Sequence, residues 1–205
     1  PCRTGLTRDR LAPPLPPPPA TIMLLRLLAL FSAAVLLAVL TAVPVAAQER
    51  GNDEPRTSPN ASVAQTIGTT DVRITYGRPQ VKNRTIFGDL VPYGEVWRTG
   101  ANEATTFSVS SDVAVEGEPL SAGTYSLYTI PGPEEWTLIF NTAANQWGTN
   151  YDADKDALRV TVSSQTAAPR EMMTFLFEDV TAQRGTCVLH WANLRVPFDV
   201  HVAGR

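Results

Sequence analysis

From Ser62 onward the apolar residues of this chain recur at every second position, in short runs, and nowhere at the three-and-four spacing of an amphipathic helix. Side chains of period two point alternately to opposite faces of an extended strand, so each run buries one face and wets the other. Val63 to Ile67 and Val72 to Tyr76 flank Gly68, Thr105 to Val109 is β-branched and aromatic, and Val113 to Val115 and a short piece near Leu120 flank Gly117. Gly123 to Ile130 ends at Pro131-Gly132-Pro133, which cannot continue a hydrogen-bonded ladder. Trp136, Leu138 and Phe140 share a face, as do Leu158, Val160 and Val162, and then Met173, Phe175 and Phe177. Nine or ten short strands with a turn signal about every ten residues predict an all-β chain, a single-domain antiparallel β-sandwich of jelly-roll-like form over 62–205. At most a turn or two of helix is expected, near 93–98 or 152–157.

The last segment carries the sharpest expectation. A tight turn at Ala192-Asn193 puts Trp191 opposite Leu194, and then Cys187, Leu189, Trp191, Leu194, Val196, Phe198, Val200 and Val202 fall on one face. A slip of one residue destroys that sorting, so the pattern predicts a well-specified hairpin. Pro197 cannot donate to a ladder and is expected at an edge or a bulge.

Ahead of the alternating region the chain changes character. The segment 1–22 contains a proline run that packs no core, and reads as an upstream extension miscalled as coding. Residues 23–47 begin at Met23, carry Arg26, then an apolar run, Pro44 and the small residues Val45-Ala46-Ala47: a signal peptide, cleaved before Gln48. The reading implies an exported, periplasmic or extracellular protein that meets a membrane only through this leader. Residues 48–61 are polar and Pro-containing, a flexible linker. Past the leader only Cys187 remains, so no disulfide framework is available and burial must supply stability. From Gln48 on, thirteen Lys and Arg face nineteen Asp and Glu, a net of −6, which argues against nucleic acid as the partner. Oligomeric state is left open by the pattern.

Most familiar chemistries lack their residues. His190 and His201, on the hairpin just described, stand about 20 Å apart at ~3.4 Å per residue and share no metal ion. Asp152, Asp154 and Asp156 open like a calcium loop, but Ala157 and Ser163 stand where Gly and a bidentate Glu belong. There is no nucleophile elbow and no glycine-rich phosphate or dinucleotide loop, so no cofactor is expected.

What remains is 76–106, "YGRPQVKNRTIFGDLVPYGEVWRTGANEATT", which follows neither period. Arg78, Lys82, Arg84 and Arg98 suit an anionic ligand, since guanidinium forks match carboxylates and phosphates. Tyr93, Trp97, Trp147 and Tyr151 offer flat faces to a sugar or other ring, and Asn102 and Glu103 supply polar contacts. Two readings stand side by side. In one, these residues form a site for a small anionic or sugar-like ligand; in the other, Arg98–Glu103 and Arg84–Asp89 ion pairs pin the loop and Trp97 plugs the end of the core. A carboxylate-dependent hydrolase using Glu103 needs a second carboxylate across a cleft. A structural or interaction protein of the cell envelope needs an exposed apolar patch or strand edge.

The same stretch, with "LSAGTYSLYTIP", "WTLIFN", "QWG", "NYD" and "DALRV", resembles the bacterial domain-of-unknown-function family 2911 over about Ser62 to Val202. The resemblance implies one exported, β-rich domain and no particular activity. It places Arg78, Lys82, Trp97, Arg98, Asn102, Glu103, Trp147 and Tyr151 within the family's motifs.

Overall fold

The alternating runs fold into ten strands, shared between two antiparallel sheets, in a computed structural model that describes residues 50–51 and 54–202. One sheet holds β1 (Asn60–Ile67), β2 (Thr70–Gly77), β3 (Thr105–Val109), β6 (Gly123–Ile130), β7 (Glu135–Asn141) and β8 (Asp156–Ser163), in the order β1-β2-β3-β6-β7-β8. The other holds β4 (Val113–Val115), β5 (Glu118–Leu120), β9 (Gln165–Glu178) and β10 (Arg184–Val202), in the order β5-β4-β10-β9. The large sheet is therefore a meander that leaves once, after β3, to lay down the small β4–β5 hairpin on the opposite layer. That hairpin turns on two residues, Glu116 (φ 50°) and Gly117 (φ 85°), the pair of positive φ angles that a two-residue turn needs to match strand twist. The only helical piece among the described residues is a 3₁₀ turn, Ala153–Lys155, capped by the Asp152 carboxylate accepting from the Asp154 N–H. The 93–98 stretch has no helix.

The core is the inward half of each alternation. Phe107 and Phe140 of the large sheet meet edge to face with centroids 5.0 Å apart, and Phe198 of β10 closes on both from the other layer. Tyr76 of β2 crosses the same gap: its ring packs on Phe175 and its hydroxyl accepts the Phe175 N–H at 3.0 Å. Cys187 is fully buried, so desolvation pushes its thiol well above the ordinary range and it behaves as a small apolar residue.

The expected hairpin at Ala192-Asn193 is not formed. Residues 184–202 run as one continuous strand, paired with β9 over its first half and with β4 at Val200–Val202. The two-sided sorting nevertheless holds, with Cys187, Leu189 and Trp191 buried on one parity and Val196, Phe198 and Val200 on the other. The change of parity is made by an irregularity: the β9–β10 register slips on both sides of Ala192, whose φ is 51°. Pro169 lies in β9 opposite this slip, and without an N–H it could not have carried the ladder through. Pro197 falls between the last pairing to β9, at Arg195, and the first to β4, at Val200. His190 and His201 thus lie eleven residues apart on one strand, about 37 Å at ~3.4 Å per residue. The His190 ring is used locally, accepting from Arg170 Nε at Nδ1 and lying 3.0 Å from the Ala168 carbonyl at Nε2.

Two further differences concern the amino-terminal side. The first strand starts at Asn60, paired with Gly77, rather than at Val63. Part of the segment expected as a flexible linker is also tied to the sandwich, through bonds described below. The leader and upstream extension expected over 1–47 fall outside the described residues.

Candidate functional site

Between β2 and β3 the chain leaves the sheet for the whole of 78–104, and its backbone groups must find partners elsewhere. They do so on both layers. Met173 N donates to Pro79 O and Val81 N to Glu171 O, fastening the start of the segment to β9. Trp97 and Thr129 exchange both backbone bonds, at 2.7 and 2.9 Å, fastening its middle to β6. Ala104 N donates to Gln146 O and Gly148 N to Asn102 O, fastening its end to the β7–β8 connection. Within this frame Lys82, Asn83, Thr99 and Asn102 all take positive φ, between 48° and 65°. Such angles cost non-glycine residues free energy and persist only where the surroundings fix them. At Thr99 the hydroxyl donates to Trp97 O and to the Thr129 hydroxyl, which accounts for the conformation locally.

Four aromatic rings gather beneath this segment. Trp97 stacks on Trp191 of β10 with centroids 5.8 Å apart and planes 18° from parallel, and Phe87 and Trp136 meet them edge to face. Above the Trp97–Trp191 pair lies a cavity of about 360 Å³. Its cationic wall is Lys82, Arg84 and Arg98; its neutral polar wall is Gln80, Asn102, Thr57 and Ser58; Leu90 and Val91 complete the apolar side. Among the described residues, no Asp or Glu lines it.

The cations differ in how they are held. Arg84 donates Nε to Val81 O and an Nη to Gln80 O, so its guanidinium is fixed by carbonyls. Lys82 is exposed, and among the described residues its one hydrogen bond is from its backbone N–H to the Glu171 carboxylate. Arg98 is half-buried, and among the described residues its guanidinium makes no hydrogen bond or ion pair; its Nε is sealed from solvent with no acceptor. Gly148 explains the packing around it, because a Cβ there would stand 2.2 Å from Arg98 Cδ and 2.6 Å from Asn102 O.

Glu103 takes no part in the cavity. It is 6% exposed and accepts from Arg56 Nη1 at both carboxylate oxygens, 3.0 and 2.8 Å, with Arg50 Nη1 4.0 Å away. Burial pushes its pKa up, but the Arg56 hydrogen bond, its own backbone N–H and the two guanidinium charges outweigh burial and hold it below the ordinary range. Arg50 in turn donates to Thr75 O and Ala104 O, and Asn102 Nδ2 donates to Ser58 O. Residues 50–51 and 54–59 are thereby strapped across the loop, and Thr57 and Ser58 become one wall of the cavity.

Of the residues singled out in the sequence, Lys82, Trp97, Arg98 and Asn102 come together around the cavity, joined by Arg84. The others do not. Arg78 is a staple between layers, donating Nε to Met173 O at 2.8 Å and an Nη to the Thr174 hydroxyl at 2.7 Å. Tyr93 stands exposed beside Gly88. Tyr151 packs on Tyr128, with its hydroxyl held by Asp156 and Arg159, in a separate small cluster with Ala104 and Ile139. Trp147 lines an adjoining hollow with Arg56. The expected Arg98–Glu103 and Arg84–Asp89 ion pairs are absent among the described residues: Glu103 is taken by Arg56 and Arg50. Thr57, Ser58, Gln80 and Trp191 were not foreseen. Only Trp191 had a signal, its inward parity, and that read as core.

Fold and site together define a two-layer antiparallel β-sandwich that carries a cationic, tryptophan-floored cavity at one end of its core. Residues 58–200, most of the chain and the whole sandwich but for its outermost residues, match the family described as "Protein of unknown function (DUF2911)". The chain belongs to that family. Comparison with curated proteins and with solved structures found no match.

Proposed function

We propose that this is an exported binding protein whose cavity takes a small anionic ligand bearing a ring or other flat apolar part. The observation that carries the reading is Arg98, a half-buried guanidinium with no acceptor among the described residues, beside two further cations in a cavity that no described carboxylate lines. A charge kept in such a place is costly unless an anion completes it. Trp97, half-buried where it stacks on Trp191, favours a ligand with a flat face. Export rests on the leader pattern of 23–47 alone. Because the floor consists of indoles, binding is read directly: phosphate, sulfate, acetate and uronate titrated into the purified protein should change tryptophan emission for at least one anion, and Arg98→Gln should abolish the change. Identical titrations of the variant and the natural protein would sink the reading.

A second reading has one observation of its own. Leu90, Tyr93 and Val96 lie 40–45% exposed on the same segment, an apolar rim suited to a protein partner of the envelope. It predicts co-purification that Leu90→Ser with Val96→Ser removes. Hydrolysis through Glu103 has no such support, because its carboxylate is held ionised by Arg56 rather than facing an open cleft.

A further inference from the structure

Beside the cavity lies a second hollow of about 250 Å³, lined by Arg56, Thr57, Ser58, Asn102 and Trp147. Thr57, Ser58 and Asn102 also line the cavity itself, so the two spaces share a wall. Trp147 is 44% exposed, although its neighbours are clamped: Glu103 and Trp147 form an antiparallel bridge, and Asn150 N donates to Trp147 O. An indole in water on a fixed backbone loses hydrophobic stabilisation, and it belongs to neither apolar cluster of the domain. Two guanidinium groups, Arg50 and Arg56, both meet the Glu103 carboxylate beside it.

Resting on the reading of the cavity as an anion site, we propose that cavity and hollow are two subsites of one groove, and that the groove takes a linear acidic saccharide. The inner unit places its carboxylate among Lys82, Arg84 and Arg98, and the next lays its ring on Trp147. Charge complementarity selects an acidic chain. The choice of saccharide over peptide follows from the backbone: the main-chain groups bordering the groove already pair with one another, at Trp97–Thr129 and at Glu103–Trp147, so an extended peptide finds no strand edge to join. Hydroxyl and amide side chains on the shared wall (Thr57, Ser58, Asn102) suit the alternating donors and acceptors of a sugar.

Galacturonate and its linear trimer, titrated calorimetrically into the natural protein and two variants, test this. The trimer should bind at least about tenfold tighter than the monomer, because the second contact adds to one already made. Trp147→Ala should erase that gain while leaving monomer affinity within about twofold, as befits an exposed residue outside the inner subsite. Arg98→Gln should weaken both. Equal affinity for monomer and trimer, or a gain that survives Trp147→Ala, overturns the two-subsite groove. Binding of phosphate but of neither saccharide overturns the saccharide assignment and leaves the anion cavity standing. Failure of every anion, phosphate included, overturns both.

Discussion

Replacing Glu103 by Gln tests whether the 50–59 strap belongs to the domain. The side chain keeps its shape and one acceptor oxygen but loses its charge, so Arg56 and Arg50 lose the carboxylate that both meet. Removing one partner of a fully buried pair costs about 3–5 kcal/mol. Here the Arg56 side chain is 26% exposed, so water partly screens the pair, and the expected cost falls to about 2–3 kcal/mol. With a denaturant slope of ~1.5–2 kcal/mol/M, the urea midpoint should fall by about 1–2 M. Acid adds a second signature. Glu103 has its pKa lowered in the folded chain, so the stability it contributes is present above its unfolded value of about 4.3 and is lost as pH falls through the folded value. Glu103→Gln should therefore flatten the decline of stability below about pH 4. A second variant, Arg56→Met, should cost less in the Glu103→Gln background than in the natural protein, since the two residues share one interaction. A midpoint shift under about 0.3 M, or full additivity of the two substitutions, would refute the claim that this pair fixes the strap.

Other outcomes follow from single contacts. Arg78→Lys should destabilise the fold by about 2 kcal/mol, measured by urea unfolding, because an ammonium cannot reproduce the fork that reaches both Met173 O and the Thr174 hydroxyl. Gly148→Ala should displace Arg98 and Asn102 and weaken any anion detected by tryptophan emission by about tenfold or more, with a smaller loss in thermal midpoint. Ala192→Gly should be neutral or stabilising by up to ~1 kcal/mol, and Ala192→Val destabilising, because φ is 51° at the slip in β10. Cys187 should resist thiol reagents in the native protein and react at the global unfolding rate, which makes its labelling a clock for opening of the sandwich.

The layered architecture was legible because burial imposes period two wherever a strand has one dry face, and that signal is local. The length and course of β10 were not. A parity change between Trp191 and Leu194 is equally well made by a tight turn or by an irregularity in a continuous strand, and the decision rests on β9, whose slip around Pro169 lies far away in sequence. The site divides in the same way. Arg98, Lys82, Trp97 and Asn102 were visible as polar and aromatic residues in a stretch without period. Which carboxylate each cation would meet was not, because Glu103 is claimed by Arg56 from a segment whose polar, Pro-containing composition gives no sign of docking. Arg78 and Arg98 look alike in sequence; only the carbonyls of β9 make one a staple and leave the other facing a cavity.

The long tenth strand also sets an order of events. Every strand of the larger layer has emerged by Ser163, yet Phe107 and Phe140 lack their Phe198 cover until the final stretch of polypeptide arrives. A chain truncated before Val196 would keep a complete six-stranded layer with half its greasy side bare, a species prone to clump rather than a smaller working version of the protein. Maturation thus waits on the carboxyl end, and the tryptophan floor of the cavity, half of it supplied by Trp191, is among the last parts to exist.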